Sequence, residues 1–220
     1  MARILNIDTS THLCSVCLAE NGHVIAVEEG SGQYDHAEQL TYAINRCLQQ
    51  SGWTYQDLDA VAIAEGPGSY TGLRIGASTA KGLCFALDIP LLAVSTLRAM
   101  AAGMTDNDSS LRMPLLASRK GEVYGALYTH DLQPLLSPGA WKMEEQPWQK
   151  VAKNYHFLTA GSGAEGYWRN NKYEPLSFSQ EFRHSSTNMA ALSYASYQFK
   201  EWKSLIYFEP LYLKPVYIKR

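Results

Sequence analysis

The sequence predicts an α/β protein built from two lobes. Three observations carry that expectation. Strand-like apolar segments alternate with helical ones through the first hundred residues. The chain has 220 residues and 46% hydrophobic content, enough for one large core or two small ones. A polar run, Thr105-Asp106-Asn107-Asp108-Ser109-Ser110, interrupts the pattern and reads as a loop between halves. The expected division is 1–103 and 104–220.

The elements follow in order. Strands are expected near 2–8, 12–19 and 23–30. A helix follows over 35–50: Asp35 can cap it, and Glu38 stands three residues on, as in a capping box. Leu40, Ala43, Ile44, Cys47 and Leu48 recur at helical spacing and form an apolar stripe. That stripe faces either the core or a subunit contact. A strand at 59–64 leads into a helix over 72–87, a strand at 90–94 and a helix over 95–103. The second half opens with strands at 113–118 and 122–129. A stretch containing Pro and Trp, 133–148, precedes a strand at 156–160. A helix over 188–203 and an extended, Pro-rich segment at 209–219 close the chain.

The most informative stretch is Glu65-Gly66-Pro67-Gly68-Ser69-Tyr70-Thr71-Gly72-Leu73-Arg74-Ile75-Gly76. Gly66 and Gly68 permit positive φ or close backbone approach, and Pro67 stiffens the turn. Ser69 or Thr71 can cap the helix that follows. Such a strand–loop–helix junction can receive an anion or a partner surface. It is not a P-loop, because no Gly-Lys-Ser/Thr follows and Arg74 lies inside the helix. Gly72, Gly76 and Ala80 recur every fourth residue and make a flat seam. Glycine inside a helix costs about 1 kcal/mol against alanine, so Gly76 and Gly82 need a compensating gain. Close approach by another helix, of this chain or of another subunit, would supply it.

Composition excludes several classes. The net charge of −2 gives no global footprint for nucleic acid or membrane. The chain opens directly on the strand pattern Arg3-Ile4-Leu5-Asn6-Ile7-Asp8, with no signal peptide before it and no apolar run of membrane length. The expectation is a cytoplasmic protein without a membrane partner. Cys14 and Cys17 form a C-x-x-C, but residues three apart on a strand face opposite ways, and no second pair exists. The cysteines read as structural thiols. The histidines stand singly, and no G-x-S-x-G elbow or base for Ser69 is visible, so neither a metal site nor a hydrolase triad is expected.

Three strands, a helix, a strand and a helix is the order of the ribonuclease-H-like lobe of actin-like ATPases (ASKHA). Asp8-Thr9-Ser10-Thr11 resembles that superfamily's first phosphate hairpin, with Ser10 where a Gly is usual. The alternative for Asp8 is a strand-end carboxylate bonding its own turn. Ile4 to Thr11, His36-Ala37-Glu38-Gln39-Leu40, Gly66 to Gly76, Ala80-Lys81-Gly82-Leu83 and Ile89-Pro90-Leu91 follow the TsaB (YeaZ) family pattern in order and spacing. Arg119-Lys120-Gly121-Glu122-Val123-Tyr124 and Pro210-Leu211-Tyr212-Leu213 resemble its later motifs, with Ala117 where the family commonly carries Asp and Lys214 where it carries Arg.

That resemblance implies two ribonuclease-H-like lobes. The second reads as degenerate for nucleotide binding: its Gly161-Ser162-Gly163-Ala164 turn is either a mimic of a second phosphate or adenosine loop or a tight strand–helix turn. The resemblance also implies a scaffold subunit, without catalytic residues of its own, for the TsaD paralogue that transfers threonylcarbamoyl onto the adenosine next to the anticodon. The implied partners are TsaD, a TsaE-type ATPase, a second copy when the chain is alone, and tRNA through the complex. No cofactor of its own is implied; a nucleotide (ATP or ADP), if present, belongs at a junction of the complex. TsaD-like catalysts hold metal through H-x-x-x-H after the Ile-Pro strand. Thr96 and Met100 stand at those positions here, and as a pair they suit no hard or borderline divalent metal. The implied interface comprises Tyr34 just before the first helix, His36, Leu40, Tyr42 and Ile44 from that helix, and Gly72, Arg74, Ile75, Gly76 and Thr79 from the second, with Arg46 beside them. The competing class is a free-standing ATPase or kinase that uses Asp8, Thr9 and Ser10 with Gly66, Gly68, Ser69 and Thr71 as its nucleotide loops.

Overall fold

The structure is a computed structural model that describes residues 1–31, 36–104, 110–151, 155–171, 176–179 and 182–215. Contacts divide the chain into two units. Residues 1–99 join 185–212, and residues 100–184 join 213–220. The grouping is not continuous along the chain, unlike the expected halves 1–103 and 104–220. The reason lies in the chain after residue 184, which returns to the first sheet: Ser186 N–H donates to Ser15 Oγ at 2.9 Å, and Ser15 Oγ also meets Ser186 Oγ at 2.8 Å.

In the first unit, β1 (Arg3–Asp8), β2 (Leu13–Glu20) and β3 (His23–Ser31) form an antiparallel meander. α1 (His36–Ser51), β4 (Ala60–Gly66), α2 (Tyr70–Leu87) and β5 (Leu91–Ser95) follow, and α3 (Thr96–Gly103) leaves the sheet. The strand order is β3-β2-β1-β4-β5, with β4 and β5 parallel to β1. Alternate residues of the central strands serve two cores. Leu5, Ile7, Val61 and Ile63 pack with Leu40, Ile44, Ala80 and Cys84 of α1 and α2. Ile4, Ala60, Ala62 and Ala64 pack with Met189 and Leu192 on the other face.

In the second unit, β6 (Leu111–Ala117), β7 (Glu122–Tyr128) and β8 (Pro134–Lys142) form another meander. β9 (Phe157–Ala160), α4 (Ala164–Asn171) and β10 (Leu176–Phe178) complete it. The order β8-β7-β6-β9-β10, with β9 parallel to β6 and β10 parallel to β9, repeats the first sheet strand for strand. The expected second half held neither β8 nor β10. β8 carries Pro134, Pro138 and Gly139, which read as turn residues, and the edge of a sheet tolerates them because one row of donors there is not needed. A 3-10 turn, Pro147–Lys150, stands in the chain position that α1 occupies in the first unit.

The helix expected over 188–203 is shorter. A 3-10 turn at Ser186–Met189 enters α5 (Ala190–Gln198), and Lys200 adopts a positive φ of 55° that ends the helical path. Lys203 then pairs with Leu91 as an isolated bridge. No helix among the described residues is long and apolar enough to cross a membrane.

Candidate functional site

The candidate site of the first unit lies where the β1–β2 turn meets the β4–α2 loop. Asp8, Thr9 and Ser10 are all buried. The Asp8 carboxylate accepts from Ser10 N–H at 2.9 Å and from Ser10 Oγ–H at 2.6 Å, so it stabilises its own turn. Ser10 carbonyl oxygen accepts Ser69 N–H at 2.7 Å. Thr9 Oγ1–H donates to Gly72 carbonyl oxygen at 2.8 Å. Ser69 is the helix cap, its Oγ accepting Gly72 N–H at 3.3 Å, while Thr71 is exposed. Two amides that a phosphate would seek at this helix start are therefore already satisfied from within the chain.

The glycines of the motif serve this closure. A Cβ on Gly68 would fall 2.3 Å from Ser10 carbonyl oxygen, one on Gly72 2.1 Å from that of Thr9, and one on Gly76 2.3 Å from Thr9 Oγ1. Gly66, at φ 111°, follows the same rule with a different segment: a Cβ there would fall 2.7 Å from Leu211 carbonyl oxygen, while Leu211 N–H donates to Glu65 carbonyl oxygen at 2.6 Å. The small-residue seam thus admits a turn of the same chain, not a neighbouring helix as expected. The compensation for Gly76 is the buried Thr9 contact. Gly82 differs, since nothing lies within 4 Å of a Cβ placed there.

The expected interface residues separate into groups. Leu40 and Ile44 belong to the core beneath α1, which corrects their expected place at a contact between subunits. The apolar stripe faces the sheet because burying it there removes five side chains from water. Gly72 and Gly76 are buried against Thr9. Ile75 is half-buried against the same core, and Thr79 is half-buried. Tyr42 is 64% exposed, and Arg74 and Arg46 are exposed. Tyr34 and the side chain of His36 lie outside the described residues. Sequence reasoning missed Phe85, 82% exposed on α2, and names Tyr212 only within a later motif, without its contact to the Tyr70 ring, centroids 5.1 Å apart and tilted by 46°. Phe85 stands outside the seam spacing, which is the one signal that could have found it.

Positions 96 and 100 have structural roles. Thr96 Oγ1 accepts Gly66 N–H at 3.1 Å, and Met100 is buried beside Gly161. Among the described residues no three His, Cys, Asp or Glu side chains gather as metal ligands. Cys14 faces the α1 core and Cys17 the opposite side, where its Sγ–H donates to Ser186 carbonyl oxygen at 3.4 Å. Burial pushes Cys14 and Cys84 up to about 11 and Cys17 and Cys47 up to about 12, so these thiols stay protonated. Glu65 is raised as well, by burial and against the opposing pull of Lys203.

The second unit closes in the same manner. Gly163 N–H donates to Leu115 carbonyl oxygen at 3.0 Å, and Ser162 Oγ accepts Ala117 N–H at 3.0 Å. A Cβ on Gly161 would fall 2.4 Å from Leu115 carbonyl oxygen. The Gly161-Ser162-Gly163 turn is thus packed on β6.

A family model described as TsaD, tRNA N6-adenosine threonylcarbamoyltransferase, matches residues 31–214. An Escherichia coli (strain K12) protein named tRNA threonylcarbamoyladenosine biosynthesis protein TsaB is 38% identical over 144 residues, 65% of this chain and 60% of that protein. The matched stretch spans between about half and three fifths of the curated relatives of that name. A solved structure, "YeaZ from Pseudomonas aeruginosa", superposes with a TM-score of 0.83 at 27% identity, covering 97% of this chain and 100% of that one. A ROK hexokinase from Thermus thermophilus superposes at 0.54 with 11% identity, covering 90% and 99%, and shares the actin-like fold alone.

Proposed function

The chain belongs to the TsaB (YeaZ) family, within the range of the TsaD family model, and on that premise we propose that it is a non-catalytic scaffold for tRNA threonylcarbamoyladenosine formation. It docks a catalytic TsaD-type paralogue, which transfers threonylcarbamoyl to the adenosine beside the anticodon. It pairs with a second copy when the paralogue is absent. A TsaE-type ATPase joins the assembly, tRNA enters through the complex, and any ATP or ADP sits at a junction of that complex. The name of the Escherichia coli relative supports the process.

One observation carries the docking surface. α1 and α2 pack side by side over the first sheet, and each turns a large aromatic side chain to solvent: Tyr42 at 64% exposure and Phe85 at 82%. Exposed aromatics on adjacent rigid helices suit a partner surface, since such side chains dominate the energetics of buried contacts. The motif loops support the non-catalytic half of the reading, because their glycines and amides are taken up by Thr9, Ser10 and Leu211. The test is co-purification with the cognate paralogue. Tyr42→Glu places an unpaired charge in the contact and should cost several kcal/mol of association, on the order of a hundredfold or more in affinity, while the monomer keeps its circular dichroism. Persistence of both the self-assembly and the heteromeric complex in Tyr42→Glu and Phe85→Glu would place docking elsewhere.

A further inference from the structure

Arg74, one turn into α2, is held from two sides. Its Cζ lies 4.1 Å from the centroid of the Tyr70 ring, and its Nε–H donates to Tyr212 Oη at 3.3 Å. The two tyrosine rings stack at 5.1 Å with a 46° tilt, so they form one clamp. Tyr212 is itself fixed by the residue before it, whose N–H donates to Glu65 carbonyl oxygen and whose carbonyl lies over Gly66. The clamp uses the face of the guanidinium and its Nε–H. It leaves the two terminal nitrogens, four N–H donors in one plane, without an ion pair among the described residues. Glu209, the acid that acts on Arg74, does so through space.

We propose that Tyr70 and Tyr212 are positioning residues that preset Arg74 as a planar fork for a carboxylate on the protein partner docked at α2. The proposal rests on the reading of α2 as part of the docking surface. An unheld arginine must surrender rotamer freedom when it pairs; here the stem is ordered beforehand, so less is lost on binding. The geometry of two parallel N–H donors matches a carboxylate bidentately. A polynucleotide phosphate is the weaker match. The exposed neighbours on this face, Thr71 and Ser78, are neutral, and Lys81, two turns on, is half-buried and donates to Phe208 carbonyl oxygen at 3.2 Å, so no run of free cations leads to the fork.

The experiment measures affinity for the immobilised cognate TsaD-type paralogue at low and high salt. The variants are Arg74→Lys, Tyr212→Phe, the two combined, and Tyr42→Glu, each checked for folding by circular dichroism. Arg74→Lys keeps the charge and loses the fork, and is expected to weaken binding about tenfold or more. Tyr212→Phe is expected to cost about three- to fivefold alone and nothing further beside Arg74→Lys, since it acts through Arg74. Added salt should weaken the wild type and Arg74→Lys alike, since both keep the charge, so the difference between them at either salt reports the fork. If Arg74→Lys binds within about twofold of wild type while Tyr42→Glu abolishes the complex, the fork is overturned and the docking surface stands. An equal Tyr212→Phe penalty in both backgrounds overturns the positioning role. Unchanged binding in Arg74→Lys and Tyr42→Glu alike overturns the docking reading beneath it. Retained protein affinity with lost tRNA retention on filters in Arg74→Lys would make the anion a phosphate and overturn the carboxylate assignment.

Discussion

The two sheets share one strand order and differ in what covers them. The first is covered by α1 and α2, of 16 and 18 residues, and its core between helix and sheet is almost wholly aliphatic and thiol. The second has α4, of 8 residues, and a four-residue 3-10 turn where α1 would stand. Bulky aromatics replace the missing helical surface. Trp148 of that turn meets Phe157 edge-on at 6.0 Å and Tyr167 at 5.5 Å, and Trp141 lies 6.3 Å from Tyr167. Tyr167 Oη–H donates to Glu145 carbonyl oxygen, tying α4 to the chain before the turn. The same topology can therefore be sealed by two long helices or by a few aromatic side chains. Only the former leaves two long, adjacent outer faces free for a partner.

The largest expected effect is on the aromatic seal. Trp148→Ala removes a fully buried indole and should cost about 3–5 kcal/mol. Chemical denaturation should show the second unit unfolding first. All four cysteines lie in the first unit, so thiol labelling reports that unit alone. Labelling at pH 8 should stay absent in native Trp148→Ala; rapid labelling would mean that the aromatic cluster also stabilises the helix-covered core.

The next effect is on the closed turn of the first unit. Gly72→Ala sets a Cβ against Thr9 carbonyl oxygen and should cost about 3 kcal/mol, since backbone on both sides must shift. Thiol labelling should rise here, unlike in Trp148→Ala. A cost below about 1 kcal/mol would show that the turn and helix are not in close contact.

Alkaline pH separates the units by sign. The folded thiols of the first unit have pKa values raised to about 11 and 12, above the unfolded value near 9. Their contribution is complete below pH 9 and is lost as pH rises through 11 to 12. The second unit has no cysteine, and the buried Tyr167 phenol, raised from 10, begins to matter one pH unit later. Urea midpoints between pH 8 and 10.5 should fall first for the unit reported by thiols; simultaneous loss would count against the difference.

The smallest effect is a gain. Gly82→Ala fills open space on the outer face of α2 and should stabilise the monomer by about 1 kcal/mol. A melting-temperature rise alone would place Gly82 outside any contact, whereas a rise with weakened assembly would place it inside one.

The first unit was legible because its signals are local. Apolar spacing marks α1 and α2, and Gly66 to Gly72 punctuates the strand–helix junction. The actin-like fold class follows from that order of elements and the resemblance; the order of the strands within the sheet does not. What the glycines touch was not legible, because Thr9 and Leu211 lie 63 and 145 positions away from Gly72 and Gly66, and no local pattern encodes such pairs. The side of α1 that meets the sheet is hidden for the same reason, so the sequence leaves open a subunit contact for Leu40 and Ile44, which the structure buries in the core. β8 was masked by its prolines, and the return of 185–212 to the first sheet by the long span between them.

We propose that this chain supports threonylcarbamoyl transfer without performing it. The most direct measurement is transfer from threonylcarbamoyl-adenylate to unmodified tRNA by the cognate TsaD-type paralogue and its TsaE-type ATPase, with and without this chain. Little product is expected from the chain alone, turnover when it is added to the paralogue and ATPase, and loss of that turnover with Tyr42→Glu. Product formed at an undiminished rate without the chain, or by the chain alone, would contradict it.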